Sequence, residues 1–364
     1  MRIALVAPLV AAIREPQRGG SQAFVSDLAR GLVDRGHDVH LYAASGSAVA
    51  GVTVIDTGVD HRPLAATLYR AADPIAVAPA AAEAAFRRVY SAIDDGQYDV
   101  IHNHAFDAPA VRLATGLRAP VVHTLHLPPA GDMVAALREA TLAQSPPTLA
   151  GVSAFQAGAW RRVVAIEAIL PPYVPTDLID WSPTAADGAV FAGRLSPEKG
   201  AAQAIDIAAA ARIRLDVYGD RYDPVYAADH IDPRRADPGV TVHAAVPRAS
   251  LWKALARAAV VLCPARWDEP FGMVAAEAQA CGTPVVAFNR GALGEVILDG
   301  RTGFLVTPDD IPAAAEAVGR ATGLSRQDCR DHAELRLDLR RSLDAHERTY
   351  RRVIALAAGA PIGG

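Results

Sequence analysis

The sequence alternates short apolar runs with helix-forming segments, and this alternation constrains the fold more than any other feature. Arg2–Ala7 predicts a strand, and Ser21–Arg35, with Phe24, Leu28 and Leu32 on one face, predicts a helix. Such alternation indicates a parallel sheet with helices on both faces. In the first half, further strands are predicted at Asp38–Ala43, Val52–Ile55, Val100–His102, Val121–Thr124 and Leu149–Val152, and a helix at Ala72–Ile93.

A proline-rich segment, residues 171–183, divides the alternation into two halves and predicts a hinge. Beyond it, strands are predicted at Ala189–Ala192, Leu215–Tyr218, Val240–His243, Val260–Cys263, Pro284–Ala287 and Gly303–Val306, and helices at Pro197–Ala211 and Leu343–Leu356. We therefore predict an α/β protein with two Rossmann-like, doubly wound parallel-sheet domains that face a central cleft. The domains span 1–170 and 184–340, and the final helical segment, 341–364, is expected to pack on the first domain. Ligands of such sheets bind beyond the carboxyl ends of the strands.

Composition disfavours several classes of protein. With 36 Lys and Arg against 40 Asp and Glu, the net charge of −4 disfavours a nucleic-acid binder. Cys263, Cys281 and Cys329 lack metal-ligand spacing and suit free thiols in the cytoplasm. No apolar run approaches the roughly 18 residues needed to span a bilayer. Residues 3–13 after Arg2 resemble a short signal peptide, but they also suit a buried strand, which we prefer.

Two common nucleotide-binding devices are missing. The NAD fingerprint needs glycines at positions i and i+2, and none of the 28 glycines has that spacing. A Walker A loop needs Gly-Lys, but Lys199 follows Glu198 and Lys253 follows Trp252. Dinucleotide oxidoreductases and P-loop NTPases are therefore disfavoured.

A different phosphate-binding device is predicted at Phe191–Gly200, where a strand turns into a helix. Gly193 permits close backbone approach, and Pro197 suits a first helical turn. Arg194 and Lys199 are positioned to converge on one anion near that helix start. The alternative is a solvated arginine and lysine around an ordinary strand–helix turn.

A second segment carries two glutamates separated by seven residues, Glu269 and Glu277. The amides of Phe271, Gly272 and Met273 lie at a predicted helix start, where backbone donors are unpaired. They suit a phosphate or sugar hydroxyls, and the Glu277 carboxylate suits a ribose diol. The alternative is that Glu269 complements the helix dipole and Glu277 faces water.

Together these segments resemble glycosyltransferase family 4, a group of retaining enzymes with the GT-B fold. The two specific motifs are the E-x7-E helix and Gly282-Thr283-Pro284-Val285-Val286, which follows it. Supporting landmarks, in the family's order, are Gly19-Gly20, Asp99-Val100-Ile101-His102, Val122-His123-Thr124-Leu125-His126, Val152-Ser153 and the Gly-Arg-Leu-Ser-Pro-Glu-Lys-Gly run at 193–200. The match spans nearly the whole chain.

The resemblance implies a role for each matching residue. Arg194 and Lys199 would neutralise the donor diphosphate, which makes a metal or other cofactor dispensable. Glu277 would bind the donor ribose, and Glu269, with the amides of Phe271, Gly272 and Met273, would hold the transferred sugar. His126 would lie at the reacting centre, and Gly19 and Gly20 would let the backbone approach the donor phosphate. Backbone groups near Ala245 and Val246 would contact the base. The first domain would bind the acceptor and the second a UDP- or GDP-sugar.

The chain departs from the family pattern at two places. Tyr173-Val174-Pro175 replaces the usual Asn-Gly-Val, and Asn289-Arg290-Gly291-Ala292 has one glycine where a pair is common. These departures lie at the predicted hinge and at the predicted donor-sugar contacts, outside the diphosphate site.

Other functions stay open at this point. A metal hydrolase could use His102 with His104 and His123 with His126, but no acidic ligand is placed to complete such a site, and His102 and His104 suit cleft structure or acceptor contact. A nucleotide-sugar epimerase and a non-catalytic nucleotide-sugar sensor also fit the fold. The sequence leaves the base, the sugar, the small-molecule or glycan acceptor and the oligomeric state open.

Overall fold

The computed structural model describes residues 1–60 and 80–359. The chain forms two compact units. The first comprises Met1–Arg14, Gly20–Pro172 and Arg340–Gly364, and the second comprises Glu15–Gly19 and Tyr173–Leu339. The proline-rich segment is thus divided between them after Pro172.

The first unit contains a seven-stranded parallel sheet in the order β3-β2-β1-β4-β5-β6-β7. Its strands are β1 (Arg2–Val6), β2 (Asp38–Ala43), β3 (Thr53–Asp56), β4 (Val100–Asn103), β5 (Val121–Leu125), β6 (Thr148–Gly151) and β7 (Ala168–Ile169). Its helices up to β7 are α1 (Gly20–Asp34), α2 (Ala80–Asp94), α3 (Ala108–Arg112), α4 (Gly131–Ala140) and α5 (Ala154–Arg161). Residues 72–79 of the predicted helix at Ala72–Ile93 lie outside the described residues.

The second unit contains a six-stranded parallel sheet in the order β10-β9-β8-β11-β12-β13. Its strands are β8 (Ala189–Ala192), β9 (Leu215–Tyr218), β10 (Val240–His243), β11 (Val260–Cys263), β12 (Val285–Phe288) and β13 (Gly303–Val306). Its helices are α6 (Ala201–Ala211), α7 (Pro224–Tyr226), α8 (Arg248–Arg257), α9 (Met273–Ala280), α10 (Leu293–Val296), α11 (Ile311–Ala321) and α12 (Arg326–Arg336), and α13 (Leu339–Ala357) follows. Both sheets are Rossmann-like, as predicted. Each sheet, with its helices, forms one of the two domains of the GT-B fold.

Each unit has its own core, built as the apolar pattern requires. On α1, Phe24, Leu28 and Leu32 recur every fourth residue and are fully buried. In the second unit, apolar side chains of β8, β9 and β11 pack with α6 and α11, with Phe191 and Ile205 among them. Strands β1 and β8 are buried on both faces, which explains why they are nearly continuous apolar runs in the sequence.

The C-terminal helix α13 is longer than the predicted Leu343–Leu356. Most of it belongs to the first unit, where Leu343 packs so closely on Gly31 that a Cβ there would lie 2.7 Å from it. Arg35 also donates a 2.7 Å hydrogen bond to Asp344. A side chain on Gly31 would therefore force the Leu343 side chain to move.

The predicted helix Pro197–Ala211 is divided in two. Pro197–Lys199 forms a 3-10 turn, Gly200 adopts φ 74°, and α6 begins at Ala201. The left-handed glycine separates the turn that carries Lys199 from the helix behind it. Among residues 1–60 and 80–359, no helix has the length and apolar character to cross a bilayer.

Candidate functional site

The predicted phosphate-binding segments lie at the topological switch point of the second sheet. Neighbouring strands β8 and β11 carry their following connections in opposite directions, to β9 and to β12. Arg194 follows the carboxyl end of β8, and Glu269 follows the carboxyl end of β11. Ligands of open parallel sheets bind at such a point because the diverging loops leave a crevice.

Lys199 is held in place by a glycine that no other residue could replace without strain. At Gly200, φ is 74°, and an added Cβ would lie 2.0 Å from the carbonyl oxygen of Pro264. The turn after β8 therefore packs directly on the loop after β11. Because Lys199 immediately precedes Gly200, this close approach brings Lys199 to the loop that carries Glu269.

Lys199, Glu269 and Trp267 form one contact group. The Lys199 ammonium lies 2.7 and 3.0 Å from the two carboxylate oxygens of Glu269, and 4.9 Å from the centroid of the Trp267 ring. The Trp267 indole N–H donates to Glu269 Oε2 at 2.8 Å. An ammonium has three N–H donors, so two bonds to Glu269 leave a third for another acceptor. The prediction that Lys199 and the E-x7-E segment share one site agrees with this contact.

Arg194 is oriented by other partners. Its guanidinium donates to Glu198 at 3.1 Å and lies 4.3 Å from the centroid of the Tyr222 ring. Glu198 is buried, whereas Arg194 is partly exposed. Within the described part of the chain, the contacts of Arg194 are with Glu198 and Tyr222 and not with Lys199. An anion that joins the two cations would have to bridge them.

The amides predicted to bind a ligand begin helix α9. Gly272 caps the helix with φ 100°, and Met273 is its first residue. Phe271, just before the cap, is buried against Tyr173, with ring centroids 5.9 Å apart. The first amides of a helix have no acceptor within it and attract negative charge. Tyr173, one of the departures from the family pattern, thus supports the loop before α9.

The other departure, the loop after β12, packs on Glu269. A Cβ at Gly291, where φ is 62°, would lie 2.3 Å from both the backbone N and the O of Glu269. The amide of Ala292 donates to the Glu269 carbonyl at 2.8 Å. The φ of Ala292 is −85°, which an alanine adopts without strain. The backbone therefore requires the glycine at 291 and tolerates the loss of the second one.

Glu277 is paired with an arginine that the sequence reasoning missed. Arg248 donates to Glu277 Oε1 through Nε at 3.1 Å and through a terminal nitrogen at 2.8 Å, and both residues are buried. The Arg248 guanidinium also lies 4.8 Å from the centroid of the Trp252 ring. Both of these bonds use Oε1 and neither uses Oε2. The alternative that Glu277 faces water is wrong.

The remaining residues that are predicted to bind the sugar donor lie in three places. Ala245 and Val246 are half-buried in the loop between β10 and α8, two residues before Arg248. Gly19 belongs with Glu15 to the short segment of the second unit, where Glu15 accepts a 3.0 Å hydrogen bond from the Arg248 amide. Gly20 begins α1 in the first unit.

His126 lies in the first unit, just beyond β5, beside a group of buried histidines. Its Nε2 is 3.0 Å from Nδ1 of His104, and the His104 ring packs at a tilt against that of His102, with ring centroids 4.0 Å apart. His102 hydrogen-bonds Tyr350 of α13 and Thr124 of β5, each at 2.7 Å. Among the described residues, no group of three or more His, Cys, Asp or Glu is arranged to hold a metal ion.

Burial keeps these imidazoles neutral. Desolvation is the main cause that lowers the pKa of His126 to about 3 and that of His346, on α13, to about 4. Burial also lowers the pKa of His102 and His104 well below its ordinary range. At neutral pH each ring therefore has one N–H donor and one lone pair.

Because these buried histidines have lowered pKa values, we expect acid to lower the free energy of unfolding of the first unit. The unfolded chain takes up protons below its histidine pKa of about 6.5 while the folded rings stay neutral, so stability falls as the pH drops from there toward the folded values. Each such histidine contributes a slope of about 1.4 kcal/mol per pH unit. The free energy of unfolding from urea titrations at several pH values measures that slope.

Two variants test this assignment. His346→Leu removes one buried ring and should make the pH dependence shallower, whereas His230→Ala removes an exposed histidine and serves as the control. Equal slopes for His346→Leu and the unmodified protein would contradict the assignment.

Comparison with known proteins agrees with the resemblance. Residues 18–168 match the family described as Glycosyltransferase Family 4, and residues 184–334 match Glycosyl transferases group 1. A D-inositol 3-phosphate glycosyltransferase from Kribbella flavida is 30% identical over 376 residues, covering 87% of this chain and 86% of the relative. The chain is a family 4 glycosyltransferase.

Solved structures agree with this family 4 assignment at the level of the fold. Sucrose-phosphate synthase from Thermosynechococcus elongatus superposes with a TM-score of 0.76 at 19% identity, covering 98% of this chain and all of the other. Anabaena HepE, solved in complex with UDP-glucose, gives a TM-score of 0.73 at 21% identity, covering 97% of this chain and all of the other.

Among the described residues, the side chains of this family 4 enzyme that contact predicted site residues and were missed from sequence include Trp267, Tyr222 and Arg248. Signals for them existed. Trp267 precedes Glu269 by two residues, Tyr222 follows the end of β9, and Arg248 follows the loop predicted to hold the base. All three lie beyond carboxyl strand ends, where the topology places ligand contacts.

Proposed function

We propose that this enzyme is a metal-independent, retaining glycosyltransferase that moves a sugar from a nucleoside-diphosphate donor to a hydroxyl acceptor. The observation that carries the proposal is the contact of Lys199 with both oxygens of Glu269 at the β8/β11 switch point. It supports a site in which one cation and one carboxylate, supplied by two different loops, act on neighbouring parts of the same ligand.

Lys199 and Arg194 would stabilise the leaving group. When the bond between the sugar C1 and the diphosphate oxygen breaks, its electron pair goes to that oxygen. Fixed cations favour the transition state because the charge on the diphosphate grows as this bond breaks. The fixed orientation of both side chains, by Glu269 and Trp267 in one case and by Glu198 and Tyr222 in the other, supports this role. Two resident cations also do the work that a divalent ion does in other enzymes.

Most of the rest of the donor would be held by groups on the second unit. The amides of Phe271, Gly272 and Met273, with Glu269, would bind the sugar, and Oε2 of Glu277 would accept from the ribose hydroxyls. The peptide groups of Ala245 and Val246 would contact the base. Gly19 and Gly20 would allow backbone approach to the phosphate.

Retention follows if the acceptor attacks from the face that the diphosphate leaves. The acceptor oxygen forms the new bond to C1, and its proton passes to the departing phosphate oxygen. This route needs no protein nucleophile. We propose that His126 takes part at the reacting centre, as the family resemblance implies.

The relatives suggest which substrates to try first. HepE was solved with UDP-glucose, and several relatives are named D-inositol 3-phosphate glycosyltransferase. A UDP-sugar is therefore the first donor, and D-inositol 3-phosphate the first acceptor.

The proposal predicts sugar transfer that survives metal removal. Enzyme treated with EDTA is incubated with UDP-glucose and D-inositol 3-phosphate, and the anomeric proton of the product is followed by NMR. We expect the α-configuration of the donor to be retained and the rate to be unchanged by added Mg²⁺. GDP-, ADP- and TDP-sugars follow, guided by thermal shift, since a ligand at a hundred times its Kd adds about 2.7 kcal/mol of stability.

Each part of the proposal can fail separately. A β-configured product would contradict retention, and activity that requires added Mg²⁺ would contradict metal independence. If the enzyme converts the donor sugar into its epimer when no acceptor is present, the proposed sugar transfer is contradicted.

A further inference from the structure

His126 shares a hydrogen bond with a second histidine, His104. The bond joins Nε2 of His126 to Nδ1 of His104 over 3.0 Å, and the ring centroids are 5.2 Å apart. His126 is half-buried, whereas His104 is fully buried. His104 is therefore a partner of His126 rather than a ligand contact of its own.

His104 is rigidly placed by its surroundings. Its ring packs against that of His102, and His102 is anchored at both ring nitrogens, to Tyr350 and to Thr124. The Phe24 ring lies edge-on to His104 at 6.3 Å between centroids. A ring fixed on these sides can set the orientation of the ring it bonds.

The hydrogen bond also sets the tautomer of His126. Both rings are neutral, so one nitrogen in the bond carries the proton and the other accepts it. Nε2 of His104 is buried and has no hydrogen-bond partner among the described residues. If the proton of His104 were on Nε2, a buried N–H donor would be left unpaired, which is rare in folded proteins. Placing it on Nδ1 directs it into the bond to His126.

We infer that His104 is a positioning residue for His126, donating through Nδ1–H to Nε2 of His126 and so fixing the proton of His126 on Nδ1. His126 then offers a hydrogen-bond donor, Nδ1–H, to an oxygen atom of the substrate. It does not act as a general base through that nitrogen. The inference depends on the proposed function only for the identity of the substrate atom that His126 contacts.

The tautomer can be observed in the unmodified enzyme. Long-range ¹H–¹⁵N NMR of histidine-labelled protein distinguishes a protonated ring nitrogen from a bare one, and His126→Gln identifies the His126 signals by their loss. We expect His126 to be protonated at Nδ1 and bare at Nε2. A proton on Nε2 of His126 would overturn the inference.

Kinetics of two variants test the positioning role. His104→Leu removes the hydrogen-bond donor to His126 and should lower kcat by about 10–100-fold, the loss typical when the hydrogen-bond partner that orients a metal-bound histidine is removed. The KM for the sugar donor should be nearly unchanged. His104→Asn can place an amide N–H near the position of Nδ1 and should stay within about threefold of the unmodified enzyme, because a neutral hydrogen bond is kept. Rescue by asparagine is a result that a purely structural role would not give.

The outcomes separate this inference from the proposed function. If the unmodified enzyme transfers no sugar, the proposed function fails, while the NMR result still tests the tautomer. If transfer occurs and His104→Leu keeps full kcat, the positioning role fails. Near-UV circular dichroism verifies that each variant is folded, and a misfolded His104→Leu leaves the NMR result to decide.

Discussion

Replacing Lys199 by alanine is expected to lower kcat/KM for sugar transfer by about 100- to 1,000-fold, the loss typical of one fixed group that stabilises developing charge. The ammonium lies between Glu269 and the Trp267 ring, where no other lysine of the chain can substitute for it. The affinity for UDP should fall as well, because UDP keeps the diphosphate that Lys199 is proposed to contact. Initial rates with UDP-glucose measure the loss of kcat/KM, and calorimetric titration with UDP measures the loss of affinity.

The chain supplies a matched control, because Lys253 is its only other lysine and is exposed on α8. Lys253→Ala should leave both measurements unchanged. A double variant, Lys199→Ala with Glu269→Gln, separates two roles of the ammonium. If Lys199 served only to neutralise Glu269, the double variant would regain UDP affinity. We expect it to stay weak, because the diphosphate contact is still missing.

Replacing Arg248 by methionine is expected to lower the free energy of unfolding of the second unit by about 3–5 kcal/mol, since it leaves the buried Glu277 carboxylate without its partner. Adding Glu277→Leu should restore most of that stability, because an apolar pair often replaces a buried ion pair at little cost. The double variant should nevertheless bind UDP poorly, since the carboxylate proposed to hold the ribose is gone. Urea unfolding and UDP titration separate stability from binding.

An exposed ion pair of the same unit provides the comparison. Arg221 and Asp232 are 2.7 Å apart, and both side chains are more than a third exposed. Removing Arg221 should lower the free energy of unfolding far less than removing Arg248, because water screens an exposed pair. Equal losses for Arg221→Met and Arg248→Met would contradict the importance of burial at Glu277.

The fold was predictable because parallel strands and their helices leave local patterns. The strands of the second sheet were predicted almost residue by residue, since buried β-branched runs such as Val260–Cys263 stand out from their surroundings. The turn at 197–199 was mistaken for the start of a helix. Only the packing of Gly200 against Pro264 reveals why the chain changes course there.

The partners of the site residues were much harder to predict. Lys199 and Glu269 are 70 residues apart, and Arg248 and Glu277 are 29 apart. Such pairs depend on how loops meet at the end of a sheet, which periodicity does not encode. The motif indicated Lys199 and Glu269 individually, whereas Arg248 was marked only by its place after the loop predicted to hold the base. The bond between His104 and His126 was missed for the same reason, because neighbouring strands β4 and β5 create it.

The central claim, that Arg194, Lys199 and Glu277 bind one nucleoside diphosphate, is tested most directly by a crystal structure of the enzyme with UDP. The account predicts that diphosphate oxygens accept hydrogen bonds from Lys199 Nζ and the Arg194 guanidinium, and that the ribose hydroxyls donate to Oε2 of Glu277. A nucleotide bound elsewhere, with its phosphates distant from both cations, would contradict it.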